Sequence, residues 1–112
     1  MKRAILILMA LFAGVVQAAD SAYQQVTVST TAVGLSAATV GGDSGIPERT
    51  YCLLTLATAD VRWRVDGVDP DTDTGHIFAS GATLSINGHA DIVTFRAIRD
   101  GAADATLSAT CW

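Results

Sequence analysis

The chain has 112 residues, half of them hydrophobic, and a formal net charge of −4 at pH 7. That length holds one small domain at most. The acidic balance excludes gripping a nucleic-acid backbone, which needs clustered Lys and Arg, and excludes attraction to anionic lipid.

Met1-Lys2-Arg3 makes a short positive start, and Ala4 to Val16 is almost wholly apolar. Val16-Gln17-Ala18 then offers small residues where a signal peptidase cuts, with Ala19 as a neighbouring choice. This is the three-part pattern of a secretory signal peptide, and the apolar run falls short of the roughly 20 residues of a membrane span. The expectation is a signal-peptide helix over residues 1–18, removed on export to a periplasmic or extracellular space; an uncleaved anchor helix is the alternative. Cleavage leaves five arginines against all eleven acids, a net near −6, and no attachment to the membrane.

Residues 19–45 form a Thr/Ser/Ala/Gly-rich N-terminal strand and arm. Asp20 to Gln25 is a polar entry, and Val26-Thr27-Val28-Ser29 alternates as a half-buried strand does. Beyond it only Val33, Leu35 and Val40 are large and apolar, and Gly41 to Gly45 is a flexible break. The segment predicts an edge strand with a loop, or an arm.

Residues 46–112 carry the expected core. Arg49 to Ala57 puts Cys52, Leu54 and Leu56 on one face and Tyr51, Leu53 and Thr55 on the other, as a central strand requires. Val61, Trp63 and Val65 then share a face, with Arg62, Arg64 and Asp66 opposite. Asp66 to Gly75 is a loop, and His76 to Ala79 is a short apolar piece. Thr83 to Ile86 predicts a strand with Leu84 and Ile86 inward, stopped by the turn pair Asn87-Gly88. Ile92 to Arg99 predicts another strand, with Val93, Phe95 and Ala97 on one face. Ala105 to Trp112 closes the chain, with Leu107, Ala109 and Cys111 on one face. Turn signals recur about every ten residues and no helical period stands out, so the fold class is all-β: a small antiparallel β-sandwich or barrel.

Two cysteines in an exported chain predict a Cys52–Cys111 disulfide; a cytoplasmic chain would keep two buried thiols. The bridge would close a loop of about 60 residues, worth roughly 4 kcal/mol by chain entropy. It predicts that the strands carrying the two cysteines lie side by side or on facing sheets.

Asp69, Asp71 and Asp73 alternate along the loop, with Asp66 just upstream. Carboxylates at alternate loop positions can converge on Ca²⁺, although the EF-hand register fails: Gly75 stands at the seventh position rather than the sixth, and Ser80 at the twelfth. The bland alternative is a solvated hairpin loop. Arg62 and Arg64 project together and mark a partner-binding face, or else pair with Asp60, Asp66 or Asp100. Trp112 and Tyr51 offer rings for a partner or for stacking on sugars. His76 and His89 stand in separate turns, and no Gly-x-Ser-x-Gly, His-Glu-x-x-His or Cys-x-x-Cys motif is present, so no catalytic residue is assigned.

One run of features carries a family resemblance. Val61-Arg62-Trp63-Arg64-Val65-Asp66-Gly67 leads to Asp69-Pro70 and Gly75-His76. Gly81, Phe95-Arg96-Ala97-Ile98-Arg99 and Ala105 to Thr110 follow, and Thr31-Ala32-Val33-Gly34-Leu35 lies upstream. This resembles small all-β structural proteins among the head and tail genes of tailed bacteriophages, over about half of the chain. The resemblance implies a non-enzymatic virion-associated protein acting as a homo-oligomer or within a larger protein assembly. The alternative expectation is an exported binding module for glycan or Ca²⁺.

Overall fold

A computed structural model describes residues 21–43 and 45–112. The expected leader over residues 1–18 lies outside the described residues. The described chain runs β1 (Ala22–Val28), α1 (Ala37–Val40), β2 (Tyr51–Ala57), β3 (Val61–Arg64), β4 (His76–Phe78), β5 (Thr83–Asn87), α2 (His89–Thr94), β6 (Arg96–Arg99) and β7 (Ala105–Cys111).

The all-β expectation holds. Four strands form one sheet in the order β1-β7-β2-β5, and three form a second in the order β4-β3-β6. Every pairing is antiparallel. Both sheets are open, so neither is a barrel by itself. After β1 the chain crosses to the smaller sheet and runs along the edge of β6. Val33 and Ala97 exchange backbone hydrogen bonds at 2.9 and 2.8 Å, and the Arg99 N–H donates to the Ser29 carbonyl at 3.1 Å. The crossing segment satisfies backbone groups that an edge strand otherwise exposes.

Period-two alternation builds the core. Ala105, Leu107, Ala109 and Cys111 of β7 are buried, as are Cys52, Leu54 and Leu56 of β2. Val61, Phe78 and Ala97 join them from the smaller sheet, and Ile92 and Phe95 from α2 and its end. Each large side chain fully removed from water contributes about 2 kcal/mol. Phe95 stacks beneath Trp63 with ring centres 6.1 Å apart, fixing β3 over the core.

The cysteine strands lie side by side. Tyr51 and Trp112 exchange backbone hydrogen bonds at 3.2 and 2.8 Å. The next rung, Cys52 opposite Cys111, is therefore a non-hydrogen-bonded pair, where facing side chains come closest. Their Cα atoms are 4.1 Å apart and the disulfide is formed, with both residues wholly buried.

The strand expected over Ile92–Arg99 is shorter than the pattern implied. Its first part is α2, and β6 begins only at Arg96. Gly88, at φ 98°, turns the chain out of β5, and the Ile92 N–H donates to its carbonyl at 3.1 Å. A single turn then buries Ile92 and leaves Val93 half exposed. The Thr94 hydroxyl fastens the turn, donating to the Val65 carbonyl at 2.6 Å. The β-branched run Ile92-Val93-Thr94 favours a strand locally, and core contacts override that preference. The glycine break is likewise structured at its start. Gly41 adopts φ 72°, and a Cβ there would collide with the Pro47 carbonyl oxygen.

Candidate functional site

The charged side chains gather on the smaller sheet. Arg62 and Arg64 share its outer face, as alternation requires, and Arg96 of β6 stands directly opposite Arg64. Like charges so placed repel. The loop after β3 answers them. Asp66 grips Arg64 through both carboxylate oxygens, with Nε to Oδ1 at 2.9 Å and a closer Nη2 to Oδ2 contact. Asp69 lies 3.8 Å from the Arg96 Nε. Arg62 donates from Nε to Asp100 at 2.7 Å and from Nη1 to the Gly75 carbonyl at 3.3 Å. Arg99 falls on the other face and pairs with Asp104 at 2.8 Å.

These contacts set the titration of the loop. The hydrogen bond from Arg64 holds the Asp66 carboxyl below the ordinary aspartate value, and Asp66 in turn raises the Arg64 guanidinium. Asp71 is lowered first by the backbone N–H of Asp73 and then by Thr74; both backbone N–H groups donate to its Oδ1 at 2.8 Å. The four carboxylates named as a Ca²⁺ candidate thus face different partners. Asp66 serves Arg64, Asp69 serves Arg96, Asp71 serves its own loop, and Asp73 is exposed. Among the described residues, no three His, Cys, Asp or Glu side chains gather so as to hold a metal ion.

The histidines stay apart in the fold. His76 packs on Trp63, ring centres 5.0 Å apart, and lines an open cleft of about 340 Å³ with Arg64, Val65, Asp66 and Gly75. His89 heads α2, with Nδ1 3.0 Å from the Arg49 carbonyl and Nε2 3.5 Å from Glu48. Arg49 is itself buried, and its Nε has no hydrogen-bond partner among the described residues.

The outer face of the larger sheet has the opposite chemistry. Its four strands, AYQQVTV, YCLLTLA, TLSIN and ATLSATC, contain no charged residue. Register sets the outward side chains in rows across the sheet. One row reads Tyr23, Thr110, Leu53, Ser85, and the next reads Gln25, Ser108, Thr55, Thr83. At one end Trp112 stands beside Tyr51, ring centres 5.5 Å apart and planes inclined by 32°. The Tyr23 hydroxyl donates to Ser108 Oγ at 3.3 Å, and Tyr51 Oη lies 3.1 Å from Ser85 Oγ. Tyr23 is 64% exposed and Trp112 44%.

The structure therefore divides the three residues expected to bind a partner. Arg62 and Arg64 sit on the smaller sheet with acidic partners of their own, and Trp112 sits on the uncharged face with Tyr51. Tyr23 falls within Asp20 to Gln25, a stretch whose composition reads as a polar entry and hides the ring. Its signal was present: Tyr23, Gln25 and Thr27 continue backwards the same period that Val26 and Val28 obey. The chain matches no protein-family model, no curated protein and no solved structure.

Proposed function

We propose that this chain is an exported, non-enzymatic interaction module of β-sandwich type, with the outer face of the four-stranded sheet as its working surface. One observation carries the proposal: an acidic chain keeps an entire sheet face free of charge and sets three aromatic rings on it. Soluble surfaces ordinarily mix charges of both signs at roughly a quarter to a third of positions. The disulfide and the leader-like residues 1–18 support an oxidising, exported setting. The resemblance to phage virion proteins supports action as an oligomer or on a larger particle. The catalytic groupings sought in the sequence are missing there, and His76 and His89 engage a ring, a carbonyl and a lone carboxylate.

Hydroxyl-radical footprinting tests the proposal. The protein is labelled in its native extract or particle and again after purification. Tyr23, Tyr51 and Trp112 are expected to be protected in the native setting, while exposed Ile77 and Val93 on other elements stay labelled. Equal labelling of all five residues in both settings would overturn it.

A further inference from the structure

The three rings on the uncharged face are held in a way that selects a ligand chemistry. Tyr23 stands on edge strand β1 and Tyr51 on β2, with β7 between them. Each phenol oxygen is tied to a serine on the neighbouring strand, Ser108 or Ser85. The hydroxyl tie leans each tyrosine toward the neighbouring strand, and Tyr23 and Trp112 remain exposed. Two strand spacings, about 10 Å, separate β1 from β2. Tyr23 thus forms one platform, and Tyr51 with Trp112 forms a second. Hydroxyls of Ser108, Thr110 and Thr55 lie on or between the strands that carry them.

A face without charged side chains offers an anion no ion-pair partner, and the net −4 of the chain repels anions. Ring faces take flat C–H surfaces, and hydroxyls take hydroxyls. A neutral glycan chain combines these properties, since each sugar ring offers an apolar C–H face edged by uncharged hydroxyl groups. A second copy of this chain fits less well. The buried centre of a stable protein interface is about 65% apolar, whereas Leu53 is the only large aliphatic side chain in the two rows above. We infer that this face binds a neutral polysaccharide laid across β1, β7 and β2, with sugar rings on Tyr23 and on the Tyr51–Trp112 pair. The inference rests on the face being the working surface.

Affinity electrophoresis of the purified chain tests it, in gels holding hydroxyethyl cellulose, glucomannan or dextran, with anionic polygalacturonate as a control. Pull-down on insoluble cellulose and chitin runs alongside. At least one neutral probe is expected to retain the protein and polygalacturonate is not. Tyr23→Ala and Trp112→Ala should each lose retention with an unchanged circular dichroism spectrum, while Tyr23→Phe, which keeps the ring but loses its tie to Ser108, should keep a weakened retention. No retention by any neutral probe overturns the inference. If footprinting still protects Tyr23 and Trp112, or sedimentation shows self-association through them, the glycan fails and the working surface stands. Retention that survives both alanine variants places binding elsewhere and removes both.

Discussion

The four strands of the larger sheet hold no charged residue, whereas the eleven residues of β3, β4 and β6 hold four arginines. Both sheets cover one core, and the difference is largest on their outer faces, where Arg62, Arg64 and Arg96 project from the smaller sheet. The smaller sheet sets Arg64 opposite Arg96 and needs the carboxylates of its own loop to hold them together. The larger sheet needs no such compensation, because its strands carry no charge, and two of its outward hydroxyls, those of Tyr23 and Tyr51, are paired with Ser108 and Ser85. Its strongest fastening is covalent and faces inward. One face is thus occupied by ion pairs of its own chain, and the other carries no charge to be answered.

The sharpest way to test this contrast is to remove the covalent tie. Cys52→Ala with Cys111→Ala deletes a bridge spanning 59 residues. The expected loss is about 4 kcal/mol in urea denaturation. Hydrogen exchange should show the Tyr51–Trp112 end of the larger sheet opening first. A loss below about 1 kcal/mol would mean that the denatured chain already keeps β2 near β7.

Acid should act on the other sheet. Asp66, Asp71 and Asp104 flank β3 and β6, and each is held below the ordinary 3.8 of an aspartate. Asp104 is lowered first by the Ser29 hydroxyl and then by Arg99. A depressed folded-state value means that the folded protein binds these protons less readily than the unfolded chain. Their contribution is therefore complete above pH 3.8 and is lost as pH falls through the lower folded values. Carboxyl-carbon titration by NMR should give midpoints below 3.8 for all three, and protection of β3 and β6 amides should fall before that of β2 and β7. Midpoints at or above 3.8 would detach the loop from the stability of the smaller sheet.

The two halves were unequally legible in the sequence. β2, β3, β5 and β7 were readable because each alternates cleanly and ends at a turn signal, as Asn87-Gly88 ends β5. The Cys52–Cys111 pairing followed from two cysteines in a chain with a leader-like start, and the matching faces of their strands allowed the two to lie side by side or on facing sheets. α2 was hidden because Ile92, Val93 and Thr94 are strand formers, and only the core below them calls for a helical turn. The Asp spacing revealed a cluster but not its targets, since Arg96 is distant in sequence from Asp69. The uncharged face was the hardest to see. Its residues come from four separated segments, and only the register unites Tyr23 with Leu53 and Ser85.

A smaller effect measures how firmly the smaller sheet holds its own charges. Arg62 and Asp100 are about a quarter and a third exposed, with an Nε to Oδ1 distance of 2.7 Å. A double-mutant cycle with Arg62→Met and Asp100→Asn should give a coupling of about 1 kcal/mol at low salt, weaker in concentrated salt. No coupling at low salt would make the arginine face available to partners and blur the contrast between the sheets.

The smallest effect on stability decides what the neutral face is for. Thr55→Lys places a charge at the centre of the larger sheet's outer face, and Ile77→Glu places one on the smaller sheet beside Arg62. Both positions are exposed, so each should change stability by no more than about 0.5 kcal/mol. Folding then gives no reason for the absence of charge around Thr55, and selection for an occupant remains. Protection of Tyr23 and Trp112 in the native setting should disappear in Thr55→Lys and persist in Ile77→Glu. A cost well above 1 kcal/mol for Thr55→Lys would reverse the inference. Neutrality would then be a condition of packing in the sheet, and the uncharged face would need no partner to explain it.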